Sequence, residues 1–298
     1  MHWVAVVAAV SVCILVLLLG VCLLGVGRLT INYNCDYCLG LKYALQSVVR
    51  KNMTQLTPGL QVDLKVVIAA GHMPWHDELP PSNAEVPKTI LVTYKSRHAL
   101  PHNVLPRLQQ LNPEFLLTFM GDDDAVRFLE REYTPWHAER FRETPDGPIK
   151  ADWLRLLYLV KHGGYYCDAD MIPTAPLPVC ESGGILVPYD GRSSDRNLLN
   201  PCFIGAAPRH PVMHNCVRLA EYVFRHNPYT YWGHSIVHLL SFVNFKMNFP
   251  IPRRLVEQWP VRWHSRDNQI TSVDRSVVFF ESRDPRYNQQ THKYTSCQ

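Results

Sequence analysis

Residues 150–171 read KADWLRLLYLVKHGGYYCDADM. Apolar residues recur at helical spacing as far as His162, with Pro148 near the start and Gly163 placed to stop the run. That pattern predicts a helix over Pro148–His162. Tyr165–Cys167 then reads as a short strand, and Asp168 and Asp170 follow with one alanine between them. In an extended segment residues i and i+2 point the same way, so both carboxylates are expected on one face. Like charges repel, and two buried carboxylates need something positive between them. A hard divalent cation such as Mn²⁺ or Mg²⁺ answers that need, and such an ion usually holds substrate phosphates as well.

Outward from this block, strands and helices alternate. Thr89–Tyr94 (TILVTY), Glu114–Met120 (EFLLTFM), Ile185–Pro188, Cys202–Ala206 and Ser276–Phe280 read as strands. Pro101–Leu111, Asp122–Tyr133, Pro135–Arg142, Pro211–Arg225 and Gly233–Phe245 read as helices. The alternation predicts an α/β fold with a mostly parallel sheet and helices on both faces. Ligands in such sheets bind beyond the carboxyl ends of strands, which is where Asp168 and Asp170 fall.

The N-terminus differs in kind. No charged residue occurs from Trp3 to Gly27. As a helix that run would span roughly 37 Å, enough to cross a bilayer with some tilt. It is too long for the hydrophobic part of a cleaved leader, so residues 1–27 are read as a transmembrane signal-anchor. Residues 28–85 read as a stem and linker, with a helical segment around Leu39–Arg50 and prolines at 74, 80 and 81. Residues 86–298 form the expected catalytic domain. Arg28, Lys42, Arg50 and Lys51 follow the apolar run, which by the positive-inside rule favours a cytosolic C-terminal side. The glycosylation sequon Asn52-Met53-Thr54 favours a lumenal one.

Hydrophobic residues make up 47% of the chain and charged residues 19%, which fits a globular protein rather than a disordered one. The formal charge of +4 comes without a dense basic block, so no nucleic-acid partner is expected. Of nine cysteines, Cys13 and Cys22 lie in the apolar run. The other seven are an odd number, which leaves at least one free or paired between chains. Cys35 and Cys38 form a C-x-x-C without a second pair at zinc-finger spacing. His234 and His238 have a spacing that can bind zinc on a helix, but no third ligand is evident. Trp75, Trp136, Trp153 and Trp232 read as core or pocket-rim residues.

A bare D-x-D arises often by chance, and Asp122-Asp123-Asp124 also contains one. There the acids open a helix and suit its dipole. Context sets Asp168 and Asp170 apart. Asp152 and Arg155 share a helix face three residues apart, and Gly163-Gly164 brings bare backbone close to the acids.

The block Asp152, Arg155, Gly163-Gly164, Tyr166, Asp168 and Asp170 resembles the signature of the DXD-containing sugar transferases of glycosyltransferase family 32. That family includes initiating mannosyltransferases, mannosyl-inositolphosphoceramide synthases and α-1,4-glycosyltransferases. VPKTILVTYKS with NPEFLLTFMGDDD, and LLNPCFIGAAPRHPVM, are similar to its flanking segments. The likeness covers roughly residues 86–225 and fades beyond Gly233. GHSIVHLL lacks the family's proline, and Cys297 stands in THKYTSC where the family has Trp.

The resemblance implies a GT-A, Rossmann-like domain that binds a metal-bound nucleotide-sugar and retains anomeric configuration. It implies that Asp170 binds the metal directly, and that Asp168 touches the ribose or donor sugar and meets the metal through water. Asp152 and Arg155 would contact the donor, Tyr166 would line its pocket, and Asn200 and His292 are further candidates near the sugar and the metal. GDP-mannose and UDP-sugars both fit, with a glycan or lipid as acceptor, and the implied setting is a secretory lumen such as the Golgi. Two rivals stand beside this reading. One is a haloacid-dehalogenase-like phosphatase using Asp168 as nucleophile and Asp170 as acid. The other is an inactive sugar-nucleotide-binding scaffold.

Overall fold

The structure, a computed structural model, describes residues 84–100, 104–190, 199–227, 229, 231–247, 251, 254–258, 269–282, 287–288 and 293–294. The expected anchor, stem, C-x-x-C and sequon lie outside these residues, as do Trp75, His292 and Cys297. Among the described residues no helix is long and apolar enough to cross a membrane. Cys167, Cys180, Cys202 and Cys216 are buried.

The central sheet holds β1 (Thr89–Thr93), β2 (Leu116–Met120), β3 (Gly164–Asp168), β5 (Ile185–Leu186) and β7 (Phe203–Ala206), in the order β2-β1-β3-β7-β5. β1 runs parallel to β2 and β3, whereas β7 is antiparallel to β3 and to β5. The sheet is therefore mixed rather than mostly parallel. Side chains alternate across it as the pleat requires. Leu91 and Tyr166 enter one core cluster; Ile90, Val92, Tyr165 and Cys167 enter the other.

The first cluster is covered by helices: α2 (Asp122–Glu132), α3 (Pro135–Glu143), α4 (Gly147–His162), α5 (Pro211–His226) and α7 (Ile236–Met247). The second face is covered differently from the expected helix layer. Among the described residues α1 (Val104–Leu111) is the helix that contributes there, with Leu105 and Leu108. The rest is a second sheet, ordered β4-β10-β9-β8-β6, of β4 (Met171–Pro173), β6 (Tyr189–Asp190), β8 (Leu255–Gln258), β9 (Gln269–Ser272) and β10 (Val278–Ser282). Met171, Leu255, Ile270 and Phe280 are its contribution to that core. Two further strands, β11 (Tyr287–Asn288) and β12 (Lys293–Tyr294), pair with each other. The expected helix over Gly233–Phe245 is two pieces, α6 (Tyr231–His234) and α7, broken at Ser235.

Helix α4 lies in the middle of the fold. Residues 152–159 are all buried. Its end is fixed by two glycines in the left-handed region, Gly163 at φ 64° and Gly164 at φ 91°. The Gly163 N–H donates to Leu159 O at 2.9 Å. A Cβ on Gly164 would sit 2.2 Å from Thr89 Oγ1, and one on Gly163 2.6 Å from Pro208. The chain can therefore leave the helix and enter β3 beside β1 only with bare backbone at both positions.

Candidate active site

β3 ends at Asp168, and Ala169 and Asp170 form a turn before β4 begins. The two acids are thus not in one continuous strand. They still share a side: Ala169 packs into the second core cluster, while Asp168 and Asp170 are half-buried and line one cavity. That cavity has a volume of about 610 Å³. Its floor is the carboxyl end of the parallel strands, where Thr93 of β1 is paired with Asp168 of β3. Its walls are the first turns of α4, the start of α2 and Tyr231.

Arg155 reaches this floor from α4 and is only 3% exposed. Its Nη2 lies 3.0 Å from Asp168 Oδ1 and 3.0 Å from Asp152 Oδ1. Nη1 donates to Pro201 O at 2.6 Å, and Nε to Ala151 O at 3.3 Å. The guanidinium carbon sits 4.1 Å from the centroid of the Tyr166 ring. The Tyr166 hydroxyl in turn donates to Asp168 Oδ1 at 2.7 Å. Both contacts fall on Oδ1; Oδ2 takes no hydrogen bond or ion pair among the described residues.

Asp152 lies beneath this floor rather than on the cavity wall. It is 6% exposed, and its Oδ2 accepts from the Ile236 N–H at the start of α7, at 3.0 Å. Each carboxylate oxygen thus has a partner within the protein, and Asp152 is not among the residues that line the cavity. Burial pushes its carboxyl up to about 6, against the pull of Arg155. Burial also raises Asp168, with Arg155 and the Tyr166 hydroxyl pulling the other way. For Arg155 burial opposes the charge, yet Asp168, Tyr166 and Asp152 together hold it protonated.

The other expected residues separate. Asn200 is not on the cavity wall; its Oδ1 accepts from the Cys202 N–H at 3.0 Å, and its own N–H donates to Pro188 O at 2.7 Å. It shapes the turn that delivers the Pro201 carbonyl to Arg155. His234 and His238 fall on separate helices, and no group of three or more His, Cys, Asp or Glu side chains placed to hold a metal forms among the described residues. Trp153 is core, stacked on His137 with centroids 5.5 Å apart. Asp124 accepts from the Gly121 N–H at 3.1 Å, as a helix-opening acid should. Asp122 does something else: it faces the cavity and pairs with Lys150 Nζ at 2.8 Å. Lys95, Lys150 and Tyr231 also line the cavity, and no sequence pattern marks them.

The donor set suits a hard cation. The carboxylates of Asp168 and Asp170 line an open cavity, and Mg²⁺-like ions take one or two carboxylates, keep several waters and add substrate phosphate. A fixed guanidinium beside them is a second positive element. Together they can hold a polyanion at the carboxyl end of a sheet.

Comparison with known proteins finds likenesses to glycosyltransferases. Residues 102–185 match the family described as "Glycosyltransferase sugar-binding region containing DXD motif". A mannosyl phosphorylinositol ceramide synthase of Saccharomyces cerevisiae is 30% identical over 142 residues, covering 45% of this chain and 34% of that one. The initiation-specific alpha-1,6-mannosyltransferase of the same yeast is 34% identical over 68 residues, covering 22% of this chain and 14% of that one. An uncharacterized glycosyltransferase of Acanthamoeba polyphaga mimivirus is 29% identical over 117 residues, covering 39% of this chain and 43% of that one. The matched part thus spans about a third of the first relative's length. These likenesses favour the transferase reading over the phosphatase one. The matched region holds α4, both glycines and the two acids on the cavity floor, and these likenesses are to glycosyltransferases.

Proposed function

We propose that this chain is a GT-A glycosyltransferase that moves a hexose from a nucleotide-sugar to a glycan or lipid acceptor with retention of configuration. One observation carries the reading. Two carboxylates and a buried arginine meet at the carboxyl end of parallel strands, on the floor of a cavity of about 610 Å³. The relatives' names, which speak of mannosyl transfer to a phosphorylinositol ceramide and of an alpha-1,6-mannosyltransferase, support a hexose and leave either acceptor class open.

In this reading Asp170, with Asp168 beside it, would hold Mn²⁺ or Mg²⁺. When bound, that ion supplies positive charge for the diphosphate that leaves as the glycosidic bond breaks. Arg155 keeps Asp168 in place and adds a second, permanent charge at the same end. Tyr166 lines the donor pocket and orients Asp168 through its hydroxyl. Asp152 acts through Arg155, as a positioning residue. Residues 1–27 anchor the domain in a secretory membrane such as the Golgi, with the catalytic part lumenal; the apolar run and the sequon support this.

The test is a donor hydrolysis screen over a panel of nucleotide-sugars, with and without Mn²⁺, run beside Asp170→Ala. Metal-dependent release of sugar that the substitution abolishes supports the reading. Hydrolysis indifferent to the substitution would remove the metal assignment.

A further inference from the structure

The cavity changes character away from the acids. From Arg155 back to Lys150 the axis of α4 runs roughly 7 Å. At that point Lys150 Nζ lies 2.8 Å from Asp122 Oδ2 and 5.0 Å from the centroid of the Phe141 ring. The pair is half-buried, with side chains 20% and 35% exposed. It joins two elements, since Asp122 opens α2 and Lys150 belongs to the first turn of α4. The Asp122 N–H donates to Lys95 O at 3.1 Å, which fixes where the carboxylate stands. Tyr94 and Phe141 line the same cavity.

A ring-lined cavity with an ammonium and a carboxylate side by side has a definite complement among the nucleobases. The Watson–Crick edge of guanine presents, in order, the acceptor O6 and the donors N1–H and N2–H. Lys150 can donate to O6; Oδ2 of Asp122, already beside it, can accept from N1–H, and Oδ1 from N2–H. Uracil presents acceptor, donor, acceptor on the same edge, so a carbonyl oxygen would face the carboxylate. Cytosine has its amino donor where Lys150 needs an acceptor. A site that hydrogen-bonds polar groups rejects analogues that leave it unpaired or opposed.

We propose, resting on the transferase reading above, that Asp122 and Lys150 read a guanine edge, so that the donor is a guanosine diphosphate sugar rather than a uridine one. The four residues of α4 between Lys150 and Arg155 leave room for a ribose between the base and the diphosphate.

The experiment measures equilibrium binding of GDP, IDP and UDP to the full chain in Mn²⁺, by calorimetry, in wild type, Asp122→Asn, Lys150→Gln and Asp123→Asn. GDP is expected to bind tighter than UDP by about tenfold or more. IDP, which lacks the exocyclic amine, should fall between them. Asp122→Asn should bring the GDP/UDP ratio to within about twofold of unity, and Lys150→Gln should narrow it. Asp123, exposed on the same turn, should leave it unchanged. Thermal melts of the same samples establish that each variant is folded. A wild type that prefers UDP, or a GDP preference that Asp122→Asn leaves intact, overturns the proposal. A UDP-preferring chain that still hydrolyses a UDP-sugar sinks only the guanine assignment. A chain that binds none of the three sinks the transferase reading too.

Discussion

Arg155 and Asp168 are joined by an ion pair, Nη2 to Oδ1 at 3.0 Å, and the arginine partner is almost completely buried. The same nitrogen holds Asp152, so one guanidinium ties a cavity-floor carboxylate to a buried one. Removing it leaves Asp152 in the core without its counter-charge. Arg155→Met should cost about 3 kcal/mol of stability, since breaking a buried pair by deleting one partner is strongly unfavourable. Urea unfolding checks this. Arg155→Lys keeps the charge but not the fork that also reaches Pro201 O, and should recover only part of the loss. A wild-type midpoint for either variant would contradict the account.

The two motif acids should separate in stability while agreeing in activity. Asp168 accepts from both Arg155 and Tyr166, so Asp168→Ala should cost about 2 kcal/mol. Asp170 lies half-buried on the same cavity wall and is not a partner of the buried Arg155, so Asp170→Ala should cost less than Asp168→Ala. Both should lower metal-dependent donor hydrolysis by about 100-fold or more. Melting curves and turnover measured on the same samples give the comparison.

Gly164 is the backbone position least able to change. At φ 91°, with a Cβ placed 2.2 Å from Thr89 Oγ1 and 2.9 Å from Thr89 O, alanine meets both strain and collision. Gly164→Ala should cost about 3 kcal/mol or more, or prevent folding outright. Soluble yield and denaturant midpoint report it. Gly147 has open space around its Cβ position, and Gly147→Ala is the matched control with little effect.

His210 predicts a pH dependence. It is fully buried at the start of α5, where its Nδ1 accepts from the Val212 N–H at 3.3 Å. Burial pulls its pKa down from 6.5 to about 4. The folded state therefore binds fewer protons than the unfolded one between these values. Stability from this group is complete above the unfolded value and is lost as pH falls toward about 4. The loss should reach about 2 kcal/mol by about pH 5. His210→Asn keeps a capping side chain and removes the titration, so its stability should change less than wild type between about pH 7.5 and about pH 5. Parallel slopes for the two proteins would count against this.

What could be read locally in the sequence was read close to its true bounds. The helix expected at Pro148–His162 is Gly147–His162, and the strand at Thr89–Tyr94 is Thr89–Thr93. Both have strong periodicity and clear stops. The second sheet was not legible, apart from one strand near Ser276–Phe280. Its other strands are two to four residues long, and what makes them strands is pairing with distant segments. The site divides in the same way. Spacing placed Asp152 and Arg155 on one helix face and put Asp168 and Asp170 at a strand end. It could not show that Asp152 would spend an oxygen on Ile236, 84 residues away, and so leave the cavity wall. Lys95, Lys150 and Tyr231 sit in no motif; only the fold brings them to the cavity.

β4 follows Asp170 with no spacer, and its partner is β10, with Met171 opposite Ser282 and Pro173 opposite Phe280. Thr174 continues the clasp, its N–H donating to Phe279 O and its hydroxyl to Val278 O. The footing of the acidic turn is thus delivered by a stretch the ribosome makes more than a hundred residues later. A nascent polypeptide carries the whole motif long before it has the strand that seats it. A transcript cut short after β9 would encode every acid on the cavity floor and still yield a product in which β4 lacks its partner strand and leans on α1, through Arg107 Nε to Pro173 O at 2.7 Å.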